Sequence, residues 1–217
     1  VDKFSNYLAR FTSYIFHPLF MPTNGLIIIY FFGGVSGFNK YSTDTDKSTA
    51  FFTISILFIA TSIIPLIITV VLKKLKYISS FHMPSKEERF LPFIFTCFCY
   101  FGVYYFLKYY LDLNLNSLIF YFIFAGMLAT MLGFFITLSW KISIHMIGIG
   151  GITGIITLLS KIHDEVLLYP LSITFLIAGL IAFSRLQQEA HNTKQIIAGF
   201  CLGFGCIMSG IFYLISH

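Results

Sequence analysis

Three short polar clusters interrupt an otherwise apolar sequence of 217 residues. The first is Lys86-Glu-Glu-Arg89-Phe-Leu-Pro92, the second is Lys141-Ile-Ser143-Ile-His145, and the third runs from Ser184-Arg185 through His191 to Gln195. Arg89, Arg185, Lys86 and Lys141 supply cations and fork-shaped donors that suit phosphate oxygens. Ser143 and Ser184 add hydroxyl donors, and helix N-termini just after them would favour an anion. His145 and His191 are imidazoles that titrate close to neutral pH. Two histidines among cations suit phosphoryl transfer through a covalent phosphohistidine, one ring attacking phosphorus and the other protonating the leaving oxygen. This chemistry needs neither a metal nor another cofactor. Nor do Asp2, Asp44, Asp46, Asp112 and Asp164 form a carboxylate cluster that would hold a divalent ion.

The elements that must position these clusters follow from composition. Hydrophobic residues make up 57% of the chain and charged ones 11%, against about 25% charged in a typical soluble domain. That excludes disorder, a disulfide-stapled secreted module and an ordinary water-soluble enzyme. Seven apolar stretches stand out: Tyr14–Gly34, Ala50–Leu72, Phe90–Leu111, Leu118–Trp140, Ile144–Ser160, Val166–Ser184 and Ile196–Ile215. Each is long enough to cross a hydrocarbon core of about 30 Å, and lipid forces the backbone into helices. The pattern predicts an all-α, polytopic membrane helix bundle of about seven spans, within a range of six to eight. Residues 1–217 read as a single transmembrane domain. The first stretch has no small-x-small cleavage site after it and reads as a retained span.

Parity then brings the clusters to one side. Two spans separate the first cluster from the second and two more separate the second from the third, so all three return to the same face. That face collects ten basic residues against four acidic ones, a net +6, while the opposite face carries a net −1. The positive-inside rule would put the basic face in the cytoplasm. Setting aside Lys86, Arg89, Lys141, Arg185 and neighbouring Lys194 leaves five basic residues there against four opposite. The excess charge therefore reads as an anion site rather than as a topology signal. Because no basic helix or tail concentrates charge, nucleic acid is not an expected partner.

Other polar features have plainer readings. Cys97, Cys99, Cys201 and Cys206 lie in apolar runs and read as small hydrophobes. Glycines cluster at 148, 150, 151 and 154 and again at 199 and 203 inside spans; the pairs 150/154 and 199/203 are four apart, and they predict close helix contacts rather than a phosphate loop. His17, His163 and His217 are expected at the membrane interface, with Tyr14, Trp140 and Tyr213 as anchors.

The three clusters resemble the motifs of the type-2 phosphatidic acid phosphatase superfamily, in its integral-membrane lipid phosphatase branch. The resemblance covers roughly residues 80–205. The family's third motif is Ser-Arg, five residues, His, three residues, Asp; here stand Ser184-Arg185, five residues, His191, three residues and Gln195. Its second motif, Pro-Ser-Gly-His, keeps only Ser143 and His145. Its first, Lys, six residues, Arg-Pro, keeps Arg89, with His82 at the lysine position, Lys86 a turn before the arginine and proline delayed to Pro92. The resemblance implies that His191 is the nucleophile, that His145 is the general acid, and that Arg89, Arg185, Ser143 and Lys86 cradle the phosphate. It implies a metal-independent hydrolase acting on an anionic lipid phosphate or pyrophosphate, in a bacterial cytoplasmic membrane. Many bacterial relatives work on that membrane's outer face. Gln195, four residues from His191, would share its helix face and accept a hydrogen bond from the ring. An amide cannot stabilise an imidazolium as a carboxylate does. Three readings therefore stand at this point: a slow enzyme, one with a borrowed carboxylate, and a degenerate phospholipid-binding or transport protein.

Overall fold

A computed structural model describes residues 3–32, 47–81, 83, 85–110, 117–162, 164 and 166–209, except the side chains of Lys47, Lys86 and Ser117. The described chain is all-α. Its helices are α1 (Lys3–Ile15), α2 (Met21–Phe32), α3 (Lys47–Phe58), α4 (Ile64–Lys74), α5 (Lys86–Tyr109), α6 (Ser117–Ser139), α7 (Ile144–Ile162), α8 (Leu168–Gln187) and α9 (Thr193–Met208). Six helical stretches are long and apolar enough to cross a membrane: Lys3–Phe32, Ser48–Lys74, Glu87–Tyr109, Leu118–Ser139, Ile144–Ile162 and Leu168–Gln187. These mark an integral membrane protein. The expected seventh span is the apolar α9, whose described part ends at Met208. The connectors Asn39–Lys47 and Asp112–Ser117, and with them His82, His163, Tyr213 and His217, lie wholly or largely outside the described residues.

Two boundaries differ from the sequence pattern. The first stretch, expected as one span from Tyr14, begins instead with a separate helix at Lys3 and breaks at Phe16–His17. Pro18 then opens a short 3₁₀ turn (Pro18–Phe20) whose N-cap is His17, since proline suits the first position of a helix but not its interior. The second stretch is interrupted by a π-helical turn (Ile59–Ile63) between α3 and α4. Pro65 enters α4 in its first turn, and the widened turn ahead of it suits a proline ring, which needs room and donates no amide hydrogen bond. Ser62 in that turn donates to the Leu19 carbonyl (2.7 Å), and Phe20 stacks on Phe58 with ring centroids 6.3 Å apart. The π turn thereby braces the elbow that carries His17.

Helix α7 is the most buried of the set and lies against α2, α6, α8 and α9. Its seam with α9 is built on glycine. A Cβ at Gly203 would strike the Ile147 carbonyl, and one at Gly150 would strike the Phe200 carbonyl. Only glycine lets the two backbones approach so closely. Large apolar side chains such as Phe98, Phe135, Phe175 and Leu176 point outward and are exposed, as lipid-facing residues do when the solvent is hydrocarbon.

Candidate functional site

Helices α5, α7 and α9 all begin, and α8 ends, near the polar clusters, so three helix N-termini are available to an anion. The seam fixes two of the clusters together. The Ser143 amide donates to the Gln195 carbonyl (3.4 Å), and a Cβ on Gly199 would lie 2.5 Å from the Ser143 carbonyl. Ser143, just ahead of α7, is thus pressed against the first two turns of α9.

The third cluster is shaped by the end of α8. Gln188 is the C-cap, and Glu189 follows with φ 51°, in the left-handed region. That reversal lets the amides of Ala190 and His191 donate to the Arg185 carbonyl (3.0 and 3.4 Å). His191 is therefore hooked back onto the residue six positions earlier. The next residue, Asn192, is the N-cap of α9 and forms a capping box with Gln195.

His191 and Gln195 do meet, although not as neighbours on a helix face, because His191 precedes the helix. The meeting is through the cap: Gln195 Oε1 accepts from the Asn192 amide (3.2 Å) and lies 3.2 Å from His191 Nδ1. The Asn192 amide identifies that atom as the oxygen. It can only accept, so the tautomer that satisfies it carries its proton on Nδ1 and its lone pair on Nε2; the Lys141 backbone carbonyl is a second acceptor beside the ring. Burial above all, and then the Arg185 and Lys141 cations, lower the His191 pKa to about 4, against the opposing pull of the Gln195 bond. At neutral pH His191 is an uncharged imidazole. Burial, together with Arg89 and Arg185, also holds the Lys141 ammonium below its usual pKa.

Electrostatic neighbourhoods link the remaining residues. Lys141 feels Arg89 and Arg185, and His145 feels Arg185, His17 and His191. Three polar atoms here are buried with no hydrogen-bond partner: Ser143 Oγ, His145 Nε2 and Arg185 Nε. Arg89 stands somewhat apart. Its Nε donates to the Met83 carbonyl (2.8 Å), and Glu88 is its charged neighbour. Its helix is capped by Ser85, which accepts from the Glu88 amide (3.3 Å). The side chain of Lys86 lies outside the described residues. Among those residues, no three His, Cys, Asp or Glu side chains gather as a metal site.

Ser184 departs from its expected role as a donor to the anion. Its hydroxyl donates to the Ala9 carbonyl (2.6 Å), lies 2.6 Å from Ser13 Oγ and accepts from Gln188 Nε2 (3.0 Å). It fastens α1 to α8 instead, because α1, which the apolar pattern does not predict, covers that side of the helix. Helix α1 and the turn after it contribute two residues that sequence spacing does not bring here. Ser13 Oγ accepts from Arg185 Nη1 (2.9 Å), and the Ser13 backbone bonds the His145 ring. His17, expected as an interface residue, packs edge-on against His145 with centroids 5.7 Å apart. The available signal was the regular spacing of Phe4, Tyr7, Leu8, Phe11, Tyr14 and Ile15, which marks a helix ahead of the first span.

No family model, curated protein or solved structure matches the chain. The reading of this site rests on its own geometry.

Proposed function

We propose that this end of the bundle binds a phosphate group carried by a membrane lipid and hydrolyses it through a phosphohistidine. The observation that carries the reading is the pair of imidazoles among cations, with His191 Nδ1 3.2 Å from Gln195 Oε1, a contact that favours the tautomer whose lone pair is on Nε2. In the first step, His191 Nε2 attacks phosphorus, the P–N bond forms and the P–O bond to the lipid or pyrophosphate leaving group breaks. The departing oxygen takes a proton from His145, which must enter the step as the imidazolium, a form that the anionic phosphate beside it would favour. In the second step, water attacks phosphorus and gives its proton to His145, the P–N bond breaks, and inorganic phosphate leaves. Arg185, Lys141 and Arg89 balance the charge on the phosphoryl oxygens, and the unpartnered Ser143 Oγ supplies a further donor.

The test is release of inorganic phosphate by the purified protein from phosphatidic acid, phosphatidylglycerol phosphate, an isoprenyl pyrophosphate and a lipid A analogue. Turnover of at least one, inhibited by vanadate and abolished by His191→Ala, is expected. An unchanged rate in His191→Ala would remove the nucleophile and with it the mechanism. The amide at Gln195 favours a second reading, an anionic-lipid binder without turnover, since no carboxylate stands among the groups acting on His191. In that case every substrate stays intact, while anionic lipid still raises the thermal midpoint of the protein.

A further inference from the structure

Helix α1 is amphipathic in the opposite sense from a helix that packs on a soluble core. Its polar and small residues face the protein. Ala9 and Thr12 are buried, Ser5 and Asn6 accept from Gln187 Nε2 (3.2 Å each), and Ser13 meets Ser184, Arg185 and Gln188. Its apolar residues face away. Phe4, Tyr7, Leu8, Phe11, Tyr14 and Ile15 are all exposed, and at 100° per residue they occupy about one third of the helix circumference. Lys3 and Arg10, also exposed, fall together on one flank of that stripe, where long cationic side chains can reach a polar boundary.

The hydrogen bonds between the two helices join Ser5–Ser13 of α1 to Ser184–Gln188, the polar end of α8, so α1 is tied to the end of α8 that carries the histidine–arginine cluster. Upright, the stretch Lys3–Phe32 of 30 residues would measure about 45 Å at 1.5 Å per residue, well beyond a hydrocarbon core of about 30 Å. The break at His17–Pro18 supplies the bend. Beside these bonds, α8 also exposes the apolar Phe183 and Leu186.

We infer that α1 lies flat in the membrane interface, with its apolar stripe in the acyl boundary of a lipid leaflet and its polar face roofing the histidine–arginine cluster. The occupant of the stripe is the bilayer itself, the usual partner of a strongly amphipathic helix of modest overall hydrophobicity. The inference is independent of whether the cluster hydrolyses anything.

Depth measurements on the full-length protein in vesicles of phosphatidylethanolamine and phosphatidylglycerol test it. Trp140 is the single tryptophan, so a Trp140→Phe background permits one new tryptophan at a time: Phe4→Trp, Tyr7→Trp, Phe11→Trp and Tyr14→Trp. Leu176→Trp, in the exposed middle of α8, serves as the deep reference. All four α1 positions should be quenched several-fold more by lipids brominated high on the acyl chain than by lipids brominated near its methyl end, and to the same degree as one another. Leu176→Trp should show the reverse order. A graded depth from position 4 to 14, which an upright helix would spread over about 15 Å, overturns the inference. So does an absence of quenching, the result if water or a second copy of the chain covers the stripe. Should Trp140→Phe fail to fold, nitroxides at the same positions, read by oxygen against nickel accessibility, give the same decision.

Discussion

Arg185 lies in the last turn of α8, and His191 sits on the turn after it, whose backbone is bonded to the Arg185 carbonyl on one side and pressed through Gln195 against the start of α7 on the other. Arg89 sits near the start of α5, where its Nε donates to the Met83 carbonyl, Ser85 caps the helix, and Phe90 and Phe93 pack on Phe134 of α6. Both regions bring a guanidinium to the same electrostatic neighbourhood of Lys141, but by different means. On the α7–α9 side, glycines replace side chains so that backbone meets backbone, and a shift in one helix displaces the other. On the α5 side, an arginine side chain acts from a helix that has its own cap and packs through the rings of Phe90 and Phe93. Contacts through backbone leave little freedom, whereas contacts through a long side chain tolerate movement. If the site binds an anion, its rigid part should set the geometry and its α5 part should tune the charge.

The largest effect should come from breaking the seam. Gly203→Ala would place a Cβ on the Ile147 carbonyl, and overpacking of this kind costs about 1–3 kcal/mol. Gly203→Val should abolish folding. At Gly102, on α5, a Cβ would meet nothing within 4 Å, and Gly102→Ala in a helix interior should be neutral or gain up to about 1 kcal/mol. Thermal denaturation of both alanine variants in detergent decides it: equal midpoints would mean that the seam is looser than the backbone contacts require.

The next effect separates the two arginines. Losing a charge-assisted hydrogen bond costs about 1.5–3 kcal/mol, so Arg185→Ala should weaken vanadate or phosphate binding by about tenfold to a hundredfold. Arg185 also holds Ser13, so Arg185→Lys, which keeps the charge without the fork, should fall between the two. Arg89→Ala should weaken binding by less than about tenfold. Calorimetric titration of the three variants would overturn the comparison if Arg89 proved the more important.

Most of this arrangement was legible in the sequence, and the exceptions have physical causes. Alternation of spans puts Arg89, Lys141, His145, Arg185 and His191 at one end whatever the packing, and glycines four apart announce the α7–α9 contact. The reach of Gln195 to His191 was legible only in outcome, since helix-face spacing gives the pair and a capping box makes it. Helix α1 escaped because its mean hydropathy is too low to read as a span, so its phase mattered more than its composition. With α1 went Ser13 and His17, and the true partner of Ser184. These placements depend on which face of α1 meets α8, and here the usual rule is inverted by lipid.

A smaller effect concerns the cap. Gln195→Glu keeps the shape that accepts from Asn192 and replaces the amide with a carboxylate beside His191 Nδ1. A neighbouring opposite charge shifts a pKa by about 1–3 units, so the His191 pKa should rise from about 4 towards its ordinary value. In the wild type the unfolded ring takes up a proton below its ordinary value of 6.5, and the folded ring resists until about 4. His191 therefore disfavours the folded state progressively as pH falls through that window and has no such effect above it. Gln195→Glu should narrow the window, so that the drop in thermal midpoint between neutral and mildly acidic pH is smaller than in the wild type. Histidine-labelled NMR titration reads the pKa directly, and an unmoved value would mean that the ring does not bond residue 195 in the membrane.

The smallest effect tests whether the rigid turn borrows a carboxylate. Glu189 is exposed and holds φ 51°, a conformation that costs an L-residue about 1–2 kcal/mol and glycine almost nothing. Glu189→Gly should therefore raise the thermal midpoint slightly while leaving the hook of His191 onto Arg185 in place. Because Glu189 is not among the groups acting on His191, the His191 titration should not move. A fall in the His191 pKa, or a loss of phosphate release without a loss of stability, would assign the missing carboxylate to Glu189. In that event the turn at the end of α8 would supply the charge as well as the geometry of the site, and the contrast with α5 would widen.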